Sequence, residues 1–266
     1  MLACYLDDSD ATSSKVSTIA GYVAHEDGWL RFEQAANKIC DDENVELIRG
    51  RELDGADGCF KGWTLIKRQK FLDRIGRAMV GNVLFGISRS IGKEKWKVRR
   101  RQLMTLDNLH KKTFSSLSAF GFCFGSIAID LKQNSMFEVT DEVQSSGIAY
   151  MLESGSKNNP DIFRYLDAQR RNGGLHVDTI ATEVDKRSCR AAQIADLYAF
   201  YSRRRMNKFS RFGGKLEFVP DIHKIHVQPK ILHDTGYVQE PFIQGTNTRT
   251  REVFNFTGII ERDPRP

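Results

Sequence analysis

Apolar and polar positions along the chain alternate between two periods. Leu2–Leu6 is a short continuous apolar run that closes on Asp7 and Asp8, and Thr18–Ala24 is a second, with a polar turn between them. Runs of this length, bounded by turn residues, predict buried strands. Trp29, Phe32, Ala36 and Ile39 or Cys40 recur at helical spacing, which predicts a helix from about Gly28 to Cys40. A longer helix is predicted from Trp63 to Val80, with Leu65, Phe71, Leu72, Ile75 and Met79 inward. Val83–Ser88 returns as a strand, and the basic stretch Lys93–Arg101 either extends it or forms a hairpin. Leu109–Leu131 reads as a buried helix, and Phe137–Val139 and Ile148–Leu152 as strands. Asp141-Glu142 reads as a solvated turn. Asn158 or Asn159 then caps a helix with Pro160 in its first turn, running to Arg171 and stopping at Gly173-Gly174. Leu175–Val184 is a last clear strand and Ser188–Arg205 a last clear helix, while the chain from Asn207 on is irregular or weakly β. Strands alternating with helices predict one α/β domain with an irregular C-terminal appendage.

The bulk properties narrow the class without changing that picture. The chain has 266 residues, 40% apolar and 28% charged, as ordinary globular proteins have. Five cysteines, odd in number and far apart, form no CxxC pair, so neither a zinc site nor a disulfide framework is indicated. Reduced thiols and an opening apolar stretch too short for a signal peptide predict a cytoplasmic protein. The charge-free segment between Lys112 and Asp130 is diluted by Ser and Gly, so no membrane partner is expected.

Three carboxylates carry the candidate chemistry. Asp7 and Glu153 each end an apolar strand, and Asp196 lies in the alanine-rich helix. Acids in such places cost stability unless something compensates them, and a divalent cation is one compensator. Two strand-end carboxylates and a helical one suit two-metal phosphodiester hydrolysis. There, ions roughly 3.5–4 Å apart activate water and stabilise the leaving oxygen. The expected ion is Mg²⁺ or Mn²⁺, with Asp7, Glu153 and Asp196 as ligands and Asp185 as a fourth ligand or supporting partner. Each acid also has a plain structural reading. Asp7 could close a turn, Glu153 could end an exposed strand, Asp196 could pair with a buried arginine, and Asp185 could cap a helix or form a surface ion pair.

The net charge of +6 permits a polyanionic partner, and its distribution suggests one. Lys93, Lys95, Lys97, Arg99, Arg100 and Arg101 crowd around Trp96. Arg203, Arg204, Arg205, Lys208, Arg211 and Lys215 follow the Asp196 helix and include Phe209 and Phe212. Basic residues beside aromatics suit phosphate contact and base stacking, and a solvated positive surface is the competing reading. Nucleic acid is therefore the expected partner, with Arg203, Arg204, Arg205, Lys208, Lys97 and Arg99 as contacts.

Several short segments, in this order, are similar to a widespread, mostly bacterial family, domain-of-unknown-function family three-eight-zero-zero. They are Asp7-Asp8-Ser9-Asp10, Gly21-Tyr22-Val23-Ala24, Phe60-Lys61-Gly62-Trp63, Glu153-Ser154-Gly155-Ser156-Lys157-Asn158, Asp185-Lys186 and Gln193-Ile194-Ala195-Asp196-Leu197. The resemblance spans about residues 2 to 205. It implies an RNase H-like fold over 1–206, a central mixed sheet flanked by helices with a carboxylate metal site, and a packed extension over 207–266. Two departures stand out: Asp10 replaces the family's glycine, and the histidine expected ahead of Phe60 is not evident in Arg49–Leu53. The function expected is a metal-dependent nuclease acting on DNA or RNA. The alternative is a non-catalytic RNase H-like module binding nucleic acid or protein in a defence or mobile-element system. A small phosphorylated substrate is a third possibility.

Overall fold

A computed structural model describes residues 1–9, 14–104, 117–133 and 139–211, together with three short strand segments further on. Strand β1 (Leu2–Ser9) lies between β2 (Val16–His25), antiparallel to it, and β4 (Ala149–Glu153), parallel to it. Beyond β2 comes β3 (Phe85–Gly92), antiparallel, and beyond β4 comes β5 (Ile180–Val184), parallel. The order β5-β4-β1-β2-β3, with β6 (Asp234–Tyr237) parallel to β3 at the far edge, is an RNase H-like layout. The strands Glu252–Phe254 and Ile260–Arg262 pair separately.

Helices cover both faces of this sheet. They are α1 (Glu26–Glu43), α2 (Gly50–Gly55), α3 (Leu65–Met79), α4 (Lys93–Met104), α5 (Ala119–Gln133), α6 (Thr140–Ser146), α7 (Asn159–Arg171) and α8 (Arg190–Arg211). Successive strand residues point to opposite faces, and this period of two decides which acid goes where. Leu2, Cys4 and Leu6 of β1 join Ile19, Val23, Phe85 and Ile87 under α4–α7, forming one core. Ala3 and Tyr5 pack instead with Ala20, Tyr22 and Ala24 under α1, α3 and α8. Asp7 continues the second series and faces α8, whereas Asp8 continues the first. Gly21 makes the β1–β2 contact possible, because a Cβ there would lie 1.7 Å from the Tyr5 carbonyl oxygen.

Most predicted elements are present within a few residues of their expected bounds, and the differences have identifiable causes. Asp7 lies inside β1 rather than at its end. Lys93–Arg101 neither extends β3 nor forms a hairpin but is helical in α4. Its Lys, Glu and Arg residues are good helix formers, and one turn is tied by Lys97 to Glu94 at 2.8 Å. Asp141-Glu142 is the first turn of α6 rather than a free turn, a place where acids complement the helix dipole. Leu175–Val184 is extended only from Ile180, because a turn closed by Thr179 N–H to the His176 carbonyl precedes it. Leu65 is exposed at the start of α3, while Phe71, Leu72, Ile75 and Met79 are buried as predicted. Residues 105–116, Phe137 and most of 207–266 after α8 lie outside the described residues, and Val139, expected at the end of a strand, is instead the turn residue that leads into α6. Among the described residues no helix is long and apolar enough to cross a membrane.

Candidate functional site

Residue pairing places Leu6 beside Leu152, so the C-terminal ends of parallel β1 and β4 lie side by side. Crevices outside such strand ends are where open α/β sheets place ligands. Asp7 comes from β1, Glu153 from the last position of β4, and Asp196 from α8, which crosses the sheet above β1 and β2. Asp7, Glu153 and Asp196 therefore converge, although they are remote in sequence.

What they converge on is Lys186. Its ammonium donates to Asp7 Oδ2 at 2.8 Å, Glu153 Oε2 at 2.9 Å and Asp196 Oδ1 at 2.9 Å. An ammonium has three protons, so each is used once. The centre is buried on one side and open on the other: side-chain exposure is 4% for Asp7 and 8% for Lys186, but 25% for Asp196 and 34% for Glu153. Other contacts fix two of the carboxylates. The Asp8 backbone N–H donates to Asp7 Oδ1 at 2.8 Å, and the Gly50 N–H at the start of α2 donates to Asp196 Oδ2 at 2.7 Å. Gly50 can come this near α8 because a Cβ in its place would lie 2.7 Å from the Phe200 Cβ.

The electrostatics follow from too many carboxylates in one place. Burial, above all, pushes the Asp7 carboxyl well above its ordinary value. Asp196 and Glu153 push the same way and Lys186 opposes them. Burial alone would lower Lys186, but Asp7 and Asp196 outweigh it and raise its ammonium. Both directions describe a cluster that binds protons more tightly than its parts do in water.

Sequence reasoning did not foresee Lys186 as the hub. It saw Lys186 only as the neighbour of Asp185, and no spacing rule indicates that a residue ten positions before Asp196 reaches back to it. Gln193 completes the arrangement, fully buried. Its Nε2 donates to the Lys186 carbonyl at 2.8 Å, and its Oε1 accepts from Ile48 N–H at 3.0 Å and from Arg190 at 2.8 Å. Asp185 does not join the three. It is exposed and caps the short 3₁₀ turn Lys186–Ser188 by accepting from Arg187 N–H at 2.9 Å. On the other face Asp8 accepts from Ser156 at 2.6 Å and Asn158 at 3.0 Å, and burial is the main cause of its raised carboxyl. Asp8 borders a small crevice with Leu6, Phe120, Leu152 and Ile162.

The basic clusters are less uniform than the sequence suggested. Trp96 is not available for stacking, because it is buried with its ring 4.7 Å from Phe122. Lys97 is exposed on α4. In α8 successive residues turn by about 100°, so Arg203, Arg204 and Arg205 cannot all share one face, although Arg203 and Arg204 both lie over the Phe200 ring, at 5.5 and 5.6 Å. Arg203 is half-buried and donates to Ser9 Oγ at 2.8 Å. Arg204 pairs with Asp54. Arg205 is buried, which lowers its guanidinium to about 10, so it belongs to the core rather than the surface. The side chains of Arg99 and Lys208 lie outside the described residues, as do Asp10, Phe212 and Lys215.

Hard oxygen donors of this kind and number suit Mg²⁺ or Mn²⁺. The ring around Lys186 is nonetheless sized for an ammonium, since magnesium demands oxygens at about 2.0–2.1 Å. Among the described residues no group of three or more His, Cys, Asp or Glu side chains is drawn together closely enough to hold a metal as it stands. Asp7, Glu153 and Asp196 match such an ion in chemistry, and the place it would take is where the ammonium sits. No family model and no curated protein matches the chain.

Proposed function

We propose that the chain is a metal-dependent phosphodiester hydrolase acting on nucleic acid, with Asp7, Glu153 and Asp196 as ligands for Mg²⁺ or Mn²⁺. The observation that carries this reading is the convergence of three carboxylates from β1, β4 and α8 on one cation at the open end of parallel strands. A bound divalent ion there supplies an activated water and neutralises charge at the leaving oxygen. The chain's own part is to position. Asp7 is held by the Asp8 N–H and Asp196 by the Gly50 N–H, while Glu153, the most exposed of the three, faces the side from which a substrate enters. Arg203 follows Asp196 by seven residues and contacts Ser9, two residues beyond Asp7 on the same face of β1. That puts a guanidinium on the same side of the sheet as the carboxylates, about two helical turns along α8 from Asp196, where it can take a phosphate of a polymeric substrate. The resemblance stated above is in keeping with this reading, and the five free thiols suit a cytoplasmic enzyme.

The test uses labelled single- and double-stranded DNA, RNA and hybrids with Mg²⁺ or Mn²⁺, beside Asp7→Asn. Metal-dependent cleavage that falls to background in the variant is expected. Cleavage undiminished in Asp7→Asn overturns the assignment. One observation favours a second reading, a non-catalytic module binding nucleic acid or protein: Lys186 already supplies the cluster with a cation. Nucleic-acid binding without cleavage, and with no Mn²⁺ uptake at millimolar concentration, would decide for it.

A further inference from the structure

Negative charge is in excess at the carboxylate centre. Three carboxylates face one ammonium, so full ionisation leaves two uncompensated charges, and exchanging the ammonium for one divalent cation would leave a single one. A centre built only for stability would match its charges or lack them, because removing charge from water is costly unless each is well paired.

The way the ammonium is held differs from the way the carboxylates are held. The Lys186 main chain is fixed: its carbonyl accepts from Gln193 Nε2 at 2.8 Å and from Cys189 N–H at 3.4 Å, and Asp185 caps the turn. Its side chain is a flexible four-carbon stem, so the ammonium can withdraw without any backbone movement. Asp7 and Asp196 each keep a backbone N–H partner if it does. Two of the three carboxylates would therefore stay in place for an incoming ion, with Glu153 left to follow it.

We propose that Lys186 is a resident counter-ion that a divalent cation displaces. Its ammonium holds Asp7, Glu153 and Asp196 together in the metal-free protein and gives up its place when Mg²⁺ or Mn²⁺ binds. This inference rests on the metal-dependent reading above. It makes Lys186 a positioning residue that also sets the threshold for metal uptake. An ion must compete with an internal cation, so its apparent affinity is weaker than the bare ring would give. A lysine with a merely structural role would act in the opposite sense, because removing it would disorder the ring and weaken metal binding.

Lys186→Met keeps much of the side chain's length and removes the charge. The full chain and this variant would be compared by calorimetric titration with Mn²⁺ and by thermal melting in EDTA and in Mn²⁺. The metal-free variant should melt lower than the wild type. It should bind Mn²⁺ about tenfold more tightly, within the range usual for coupled ligands, and gain more in melting temperature from Mn²⁺ than the wild type does. Wild-type binding with no gain in affinity in the variant overturns the counter-ion role and leaves the metal reading intact. Absence of Mn²⁺ binding in both proteins overturns both. Should the variant not fold without metal, folding restored by millimolar Mn²⁺ supports the exchange, and failure to fold with it overturns the proposal.

Discussion

Arg89 and Lys186 are both cations buried against the sheet, on opposite faces of it. Arg89, on β3 and 2% exposed, meets Asp130 of α5 beneath the α4–α7 layer. Lys186, on the turn after β5, meets three carboxylates beneath α8. In the first case a guanidinium faces a carboxylate inside an apolar core, and its other contacts include the Ser88 carbonyl at 2.8 Å. In the second, one ammonium is shared among acids, and the group opens to solvent through Glu153 and Asp196. The first arrangement is complete within the fold. The second keeps its negative charge in excess on the accessible side, which is what a site for an external cation requires.

The comparison breaks most readily at Arg89. Arg89→Met would leave Asp130, 15% exposed, without the guanidinium, a change that costs up to about 3–5 kcal/mol for a fully buried acid and less for one that water reaches. Urea denaturation should show that loss, while Mn²⁺ binding and cleavage by the folded fraction stay as in the wild type. A stability loss below about 1 kcal/mol would mean that Asp130 is relieved by water or a proton, and the contrast between the two faces would weaken.

Gln193→Ala should come next in size. It removes the buried partner of the Lys186 carbonyl and of the Ile48 N–H, and a buried polar group left unmet costs about 1–3 kcal/mol. The loss should appear in chemical denaturation, with faster hydrogen exchange at Ile48. Unchanged exchange there would show that Gln193 does not secure the segment before α2.

Gln193 also marks where the sequence stops being legible. Gln193 lies three residues before Asp196, a spacing that sets the two on one helical face, yet only the fold reveals that it grips the turn before its own helix. The carboxylates were readable because burying an acid is expensive, so an acid closing an apolar run stands out. Lys186 was not, because a lysine beside Asp185 looks like any exposed pair until β5 returns next to β4. Strands and helices were readable from their periods, and α4 was missed because its charged residues carry weak hydrophobic periodicity. The arginine run in α8 misled for a related reason. Adjacency in sequence suggests one surface, but the helix turns Arg205 into the interior while Arg203 and Arg204 flank Phe200.

A finer test concerns pH. The folded Asp7 carboxyl, facing Lys186, Glu153 and Asp196, titrates above its ordinary value near about 3.9. A raised acid makes the folded state bind its proton more tightly than the unfolded state does. Its contribution is therefore favourable at low pH and is lost as pH climbs from the unfolded value through the folded one. Melting curves in EDTA should show Asp7→Asn gaining on the wild type over that rise. Asp8 and Asp130 are also raised but are common to both proteins, and Lys186 titrates far above this window. A difference between the two proteins that stays flat from pH 4 upward would mean that Asp7 carries no such penalty.

The smallest expected effect separates neighbours in α8. Arg205 is buried and belongs with Arg89 as a cation of the interior, whereas half-buried Arg203 reaches Ser9 on the Asp7 face of β1. Binding to single-stranded and duplex nucleic acid, measured in EDTA over a range of salt, should distinguish them. Each phosphate neutralised contributes a log–log slope of about −0.7 for single strands and −0.9 for duplex. Arg203→Ala should reduce the slope by about one such contact and leave the melting temperature nearly unchanged. Arg205→Ala should lower the melting temperature and leave the slope alone. Arg204, tied to Asp54 at the surface, should fall between them, with a stability cost of about 0–1 kcal/mol. If Arg205→Ala flattened the salt response as much as Arg203→Ala, α8 would have to present both residues to the nucleic acid. The division between interior and site-forming cations would then not extend along this helix.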